Sequence, residues 1–258
     1  MMERESYWDE RYREYWERRT TGETLSGEQC PPPDLGVVQH YLAELELEPG
    51  HKVLDVGVGA GRLIPVLVAG GANVYGVDIS AAMVRISKER WGSVVRELLE
   101  AEAETLPYPD LTFDRVVCWA VFDACSQGPA LAEMARVLAV GGRLLVSGKN
   151  ADYLDDDDEA YMAELGARAK GHPNHFTALP AFFELASVLG LVEVRTHYFT
   201  RRGDLARNRY RTERPERFYE FVTVFRKTKH GIVSKPPSIA SDVSETFRRR
   251  IPEAKPRR

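Results

Sequence analysis

Val53-Leu54-Asp55-Val56 runs directly into Gly57-Val58-Gly59-Ala60-Gly61, a strand-like apolar run that meets three alternating glycines. Arg62 to Val68 then supplies a helical stretch that Gly70-Gly71 ends, so the local reading is strand, glycine loop, helix. The alternation continues outward. Asn73 to Val77 is a second strand, Ser80 caps a helix running through Met83, Val84 and Ile86 to Trp91, and a third strand lies within Val94 to Leu99. Phe113 to Trp119 reads as a fourth strand, Gly128 to Leu138 as a helix with Gly141-Gly142 past its end, and Arg143 to Ser147 as a fifth strand. Strands that alternate with helices imply an α/β fold with a parallel, doubly wound sheet. Residues 150 to 177 interrupt the rhythm. A helix over Leu179 to Leu189 and two longer strands, Leu191 to Thr200 and Phe218 to Arg226, then complete the sheet. Only a loop separates those two strands, so they should pair antiparallel.

The 258 residues, 43% hydrophobic and 29% charged, suit one soluble α/β domain with additions. No apolar run approaches the roughly 20 residues of a membrane-spanning helix, and the opening Met1-Met2-Glu3-Arg4-Glu5 resembles no leader peptide. A cytoplasmic protein, monomer or homodimer, is expected. Cys30, Cys118 and Cys125 form no CxxC pair, so neither a disulfide framework nor a metal site is expected. The net charge of −4 conceals an asymmetry, because residues 226 to 258 hold ten Lys and Arg against three acids. With four prolines and little apolar periodicity, the basic segment 230–258 reads as a mostly disordered tail. At the other end, Tyr7, Trp8, Tyr12, Tyr15 and Trp16 recur at helical spacing and mark an amphipathic helix. A second helix starts at Asp34 and stops at Pro49-Gly50. The implied organisation is a helical cap over 1–48, a ligand-binding domain over 49–229 with an insertion at 150–178, and the tail.

Ligands of open α/β sheets sit beyond the carboxyl ends of the strands. There the glycines let backbone approach a ligand where a Cβ would clash, next to a helix N-terminus rich in unpaired N–H groups. Asp78 ends the second strand, where a carboxylate can accept from both hydroxyls of a ribose. Together these features indicate an adenosine-type ligand. A dinucleotide fingerprint would need a further glycine at position 62, which is Arg62 here.

The run from Val53 to Gly61 instead resembles the first motif of the class I S-adenosylmethionine-dependent methyltransferases. Val74-Tyr75-Gly76-Val77-Asp78-Ile79-Ser80 with Met83 is similar to the second motif. Glu102-Ala103-Glu104-Thr105-Leu106-Pro107-Tyr108 is similar to the adenine-side segment, and Phe113 to Cys118 to the fourth strand. Glu133 to Leu138 followed by Gly141 to Val146 resembles the approach to strand five. The resemblance implies a Rossmann-like seven-stranded sheet of order 3-2-1-4-5-7-6 and S-adenosylmethionine as cofactor, with S-adenosylhomocysteine as product. It places Asp55, Gly57, Gly59 and Gly61 at the methionine part and Asp78 at the ribose. Ile79 and Met83 would lie on the adenine, Glu102 and the Ala103 N–H at its edge, and Cys118 and Trp119 near the methionine end. Tyr7 and Tyr12 of the cap would close over the cofactor.

Methyl transfer needs little covalent chemistry from a protein, because the sulfonium is already activated. Positioning and exclusion of water matter most, and a general base helps when the acceptor must lose a proton. Asp123, just after the fourth strand, and His172 and His175, in the insertion where the family builds its acceptor pocket, are the candidate catalytic residues. Eight arginines between residues 195 and 217 would suit an anionic acceptor. The expected activity is methylation of an amino or hydroxyl group on a small polar metabolite, nucleic acid being disfavoured by the acidic body of the chain. The alternatives are a noncatalytic cofactor-binding subunit and an RNA or protein methyltransferase. A nicotinamide oxidoreductase is disfavoured by Arg62.

Overall fold

The computed structural model describes residue 10 and residues 35–251. The aromatic stripe with Tyr7 and Tyr12, Cys30 and the end of the basic tail lie outside them. The elements are α1 (Leu35–Leu42), β1 (Lys52–Val56), α2 (Ile64–Ala69), β2 (Asn73–Asp78), α3 (Ala81–Trp91), β3 (Glu97–Glu100) and β4 (Phe113–Cys118). They continue with α4 (Gln127–Val137), β5 (Leu138–Lys149), α5 (Asp158–Ala169), β6 (Phe176–Thr177) and α6 (Leu179–Val188). The chain finishes with β7 (Leu191–Phe199), β8 (Glu220–Lys227), β9 (Ala240–Ser241) and α7 (Glu245–Arg250).

The main sheet has seven strands in the order β3-β2-β1-β4-β5-β8-β7. Its first five strands are parallel, and β8 runs antiparallel to both β5 and β7. This is the α/β, Rossmann-like topology anticipated above. Side-chain alternation explains why the sheet is covered twice. Leu54, Val116, Leu144, Phe221 and Phe225 bury on one face against Leu131, Met134 and Phe182 of α4 and α6. Their neighbours Val53, Val117, Leu145, Val222 and Val224 bury on the other against Tyr41, Leu42, Leu67 and Val84. The strand order reverses between β1 and β4, which opens a crevice at their carboxyl ends.

Two elements depart from the sequence reading. Strand β5 begins at Leu138, directly after α4, because Leu138 already pairs with Phe113 before the register shifts to Arg115 opposite Arg143. Gly141 and Gly142 therefore form a bulge inside the strand rather than a linker before it. The second departure is the tail expected to be disordered, which is ordered over residues 239–250. Ile239 is buried in the core, and Ala240–Ser241 pairs with Phe176–Thr177 of the insertion. The buried Glu164 carboxylate accepts from the Ser244 N–H and hydroxyl and from the Tyr153 hydroxyl. Ser244 also caps α7, whose Arg249 pairs with Asp152 and Asp155 and whose Arg250 pairs with Asp158. The acidic run and the basic tail each look solvated when read alone, and the fold makes them partners.

Candidate functional site

The glycine loop follows β1 at the crevice. Gly57, Gly59 and Gly61 all have positive φ, at 77°, 51° and 82°, conformations that cost an L side chain free energy. Two of them are also required by packing within the protein. A Cβ on Gly57 would lie 2.3 Å from the Val121 side chain, and one on Gly61 2.3 Å from the Trp91 ring. Gly59 meets nothing within 4 Å, so its bare backbone faces open space where a ligand can approach. Asp78, at the end of β2, braces the loop. Its Oδ2 accepts from the Gly59 N–H at 2.8 Å and its Oδ1 from the Ser80 N–H at 2.9 Å, while the Ser80 hydroxyl caps α3 through the Met83 N–H.

Asp55 lies beside this loop in β1, 2% exposed. Its Oδ2 has no hydrogen-bond partner among the described residues. Burial, reinforced by the nearby Asp78 charge, pushes its carboxyl up to about 7. An orphaned buried carboxylate next to an open glycine backbone is the chemical complement of a cationic ligand that also needs close backbone approach. A sulfonium carrying an amino-acid end has those properties, so the residues present fit S-adenosylmethionine.

The remaining predicted contacts sort by burial. Ile79 is half-buried and Glu102 exposed. Ala103 is buried and follows β3, where the Ala101 N–H donates to the Asp78 carbonyl, so the segment expected beside the adenine sits next to Asp78. Met83 and Cys118 are fully buried, and burial pushes the Cys118 thiol up. The Trp119 ring stacks on Tyr41 of α1 at 5.8 Å, within the core that covers that face of the sheet.

Asp123 stands in a short 3-10 turn after β4, two residues beyond Val121, which touches the loop at Gly57. Its Oδ2 is 2.5 Å from the Lys149 ammonium at the end of β5, and Lys149 also donates to Asn174 Oδ1 at 2.6 Å. Burial opposes ionisation of Asp123, but the Lys149 charge, its hydrogen bond and His172 together hold the carboxyl below its usual range. Asp123, the candidate base or acceptor-orienting group, is therefore an ionised acid paired with Lys149. His175 lies beside it. Its backbone N–H donates to the Asp123 carbonyl at 2.7 Å, while its ring nitrogen Nδ1 pairs with Asp242 at 2.6 Å. Of the arginine-rich connection, Arg202 joins this cluster, its N–H bonded to Asp157 and its guanidinium to the Tyr219 hydroxyl. Arg201 and Arg217 pair instead with Asp156 and Asp155.

Sequence reasoning missed Lys149 and Glu220. They face each other across the β5–β8 ladder, at the ends of apolar strands where a single charge leaves no periodic signal. Burial pushes the Glu220 carboxyl up to about 7, against the pull of Arg202 and Lys149 and with the push of Asp123 and Asp157.

A family model described as a methyltransferase domain matches residues 54–146. The ubiquinone/menaquinone biosynthesis C-methyltransferase UbiE of Bordetella avium is 39% identical over 111 residues, covering 41% of this chain and 43% of that protein. The Burkholderia mallei protein of the same description is 36% identical, covering 41% and 46%. The chain thus spans less than half the length of the curated relatives it matches. Among solved structures, a chain of the complex between the Haloferax volcanii Trm112 methyltransferase activator and a methyltransferase superposes with a TM-score of 0.62, at 18% identity over 88% of this chain and 98% of that one. Geranyl diphosphate C-methyltransferase from Streptomyces coelicolor, solved with S-adenosylhomocysteine, gives 0.59 at 14% identity over 74% and 79%. These last two likenesses concern the fold. Residues 54–146 thus match a methyltransferase domain, and the motif order, sheet topology and braced glycine loop are similar to those of the class I S-adenosylmethionine-dependent methyltransferases, whose cofactor is S-adenosylmethionine.

Proposed function

We propose that the chain transfers the methyl group of S-adenosylmethionine to an amino or hydroxyl group of a small polar acceptor. The observation that carries this reading is the order of groups along the carboxyl edge of the sheet. Asp55 and the open Gly59 lie at β1, Asp123 follows β4, Lys149 ends β5 and Glu220 begins the antiparallel β8. A cofactor-type cradle is thus followed directly by a charged cluster with capacity for a polar partner.

Bound S-adenosylmethionine supplies a methyl group already activated by a positive sulfur. The chain's part is binding, orientation and exclusion of water. The Asp55 carboxylate accepts from the cationic end of the cofactor, and the Gly57, Gly59 and Gly61 backbone admits its methionine portion. Asp78 holds the loop and stands where a carboxylate can accept from ribose hydroxyls. Ile79 and Met83 provide an apolar wall for adenine, with Glu102 and the Ala103 N–H at its edge. Cys118 and Trp119 keep water out behind the reacting groups. Lys149, held by Asp123 and Asn174, presents a fixed positive charge to the acceptor.

The names of the relatives, both C-methyltransferases, favour a carbon acceptor as the second reading. One experiment separates the two. Calorimetric titration with S-adenosylmethionine and S-adenosylhomocysteine, with NADH as control, should show binding of the first two alone. Methyl-labelled cofactor offered to amines, hydroxy compounds and carbon acids then reports the acceptor atom. Binding of NADH alone would sink the proposal.

A further inference from the structure

We propose that Glu220 is the catalytic residue that takes the acceptor's proton during methyl transfer, in a pocket whose charge is set by Lys149, Arg202, Asp123 and Asp157. This rests on the methyl-transfer reading above. The first ground is position. Glu220 opens β8 directly opposite Lys149, the last residue of β5, and directly opposed residues have their Cβ atoms about 5 Å apart. Alternation along β8 puts Glu220 on the face of Val222 and Val224, the face that holds Trp119. The same edge carries the Val121 turn that touches the glycine loop at Gly57.

The second ground is availability. Asp123 is engaged by the Lys149 ammonium, and His175 pairs through Nδ1 with Asp242. Asp157 caps α5 with one oxygen and accepts from the Arg202 N–H with the other. The Glu220 carboxyl is half-buried, and none of the hydrogen bonds or ion pairs among the described residues engages it. The charged and titratable groups that face it are Lys149 from β5, Asp123 from the turn after β4, Arg202 and Asp157 from the connections, and Tyr219 just before β8, while β7 places Phe199 opposite it. Their charges oppose one another and leave burial dominant, which places Glu220 near neutrality, where a general base works best.

The step balances without a further reactant. The acceptor nitrogen or oxygen forms its bond to the methyl carbon while the carbon–sulfur bond breaks, the electron pair leaving on sulfur. The acceptor proton passes to a Glu220 oxygen and then to solvent. The ionised fraction of Glu220 grows as pH rises through about 7, so turnover should climb over that interval and level off above it.

The test uses the full chain saturated with S-adenosylhomocysteine and labelled with 13C at the glutamate side-chain carboxyl, each signal assigned through its backbone. The Glu220 signal should titrate with a midpoint within about one unit of pH 7. In parallel, methyl-labelled cofactor is offered to a panel of amines and phenols, with Glu220→Gln compared to the parent. The variant should bind S-adenosylhomocysteine like the parent, lose about 100-fold or more in kcat, and lose the rise of rate with pH. A midpoint below about pH 5 overturns the proposal even if no panel member is methylated. So does a variant whose kcat and pH profile match the parent's. A parent that binds neither S-adenosylmethionine nor its product overturns the methyl-transfer reading itself, and binding by calorimetry separates that failure from failure of Glu220 alone.

Discussion

Asp55, buried, and Asp123, half-buried, are acids at the carboxyl edge of the same sheet, and they have opposite fates. Asp55 has an oxygen without a partner and its carboxyl rises to about 7. Asp123 has an ammonium 2.5 Å away and stays low. Burial alone penalises the charge, while burial with a partner fixes it in place. The glycine-loop side therefore holds an unsatisfied acid that a cationic ligand can satisfy, and the proposed acceptor side holds a satisfied pair that makes a rigid wall.

Breaking the wall should have the largest effect. Lys149→Met leaves Asp123 charged and unpartnered and should cost about 3–5 kcal/mol, read from urea unfolding at neutral pH. Adding Asp123→Leu should recover much of that loss, since an apolar pair replaces an ionic one at little cost. A Lys149→Met variant as stable as the parent would show that the pair is solvated.

Asp55 sharpens the other half of the comparison. Its folded value lies above the ordinary 3.8, so folding favours the protonated form. That contribution is fully present below about pH 4, declines as pH rises, and is gone above about pH 7. The shift corresponds to on the order of 4 kcal/mol. Asp55→Asn, neutral throughout, should exceed the parent in stability at about pH 8 and match it at about pH 4, while binding the cofactor more weakly. Equal stability at both pH values would mean that Asp55 is not desolvated.

Asp78→Ala comes next. It removes the acceptor for the Gly59 and Ser80 N–H groups and should weaken S-adenosylmethionine binding by about 100-fold, roughly 2.7 kcal/mol. Calorimetry reads it directly, and parental affinity would remove Asp78 from the site.

The two sides also differ in how much of them the sequence discloses. Asp55, the three glycines and Asp78 fall within 24 consecutive residues, because one strand–loop–helix unit and the next strand build that cradle, and local backbone demands are written in local residue types. The proposed acceptor side draws Asp123, Lys149, Asn174, Arg202 and Glu220 from five separate segments. No local constraint links them, so only the sheet order brings them together. The same logic hid the ordered tail. Glu164, Asp155 and Asp158 gain meaning from Ser244, Arg249 and Arg250, some 80 or more residues downstream. Strand and helix positions came through because apolar alternation is local, and the β5 start was missed because its first pair, Leu138 with Phe113, lies beyond a register shift.

The smallest effect is expected at His175, and it distinguishes side chain from backbone. The ring's partner, Asp242, is 81% exposed, and an ion pair that open to water contributes little. What His175 gives the wall is its N–H, bonded to the Asp123 carbonyl at 2.7 Å, and alanine keeps that donor. His175→Ala should therefore leave cofactor binding unchanged and alter turnover by no more than a few-fold. His175→Pro deletes the donor and should destabilise the chain by about 1–3 kcal/mol. If the alanine variant is instead as damaged as the proline variant, the imidazole itself acts on the acceptor, and the division of labour between His175 and Glu220 reverses.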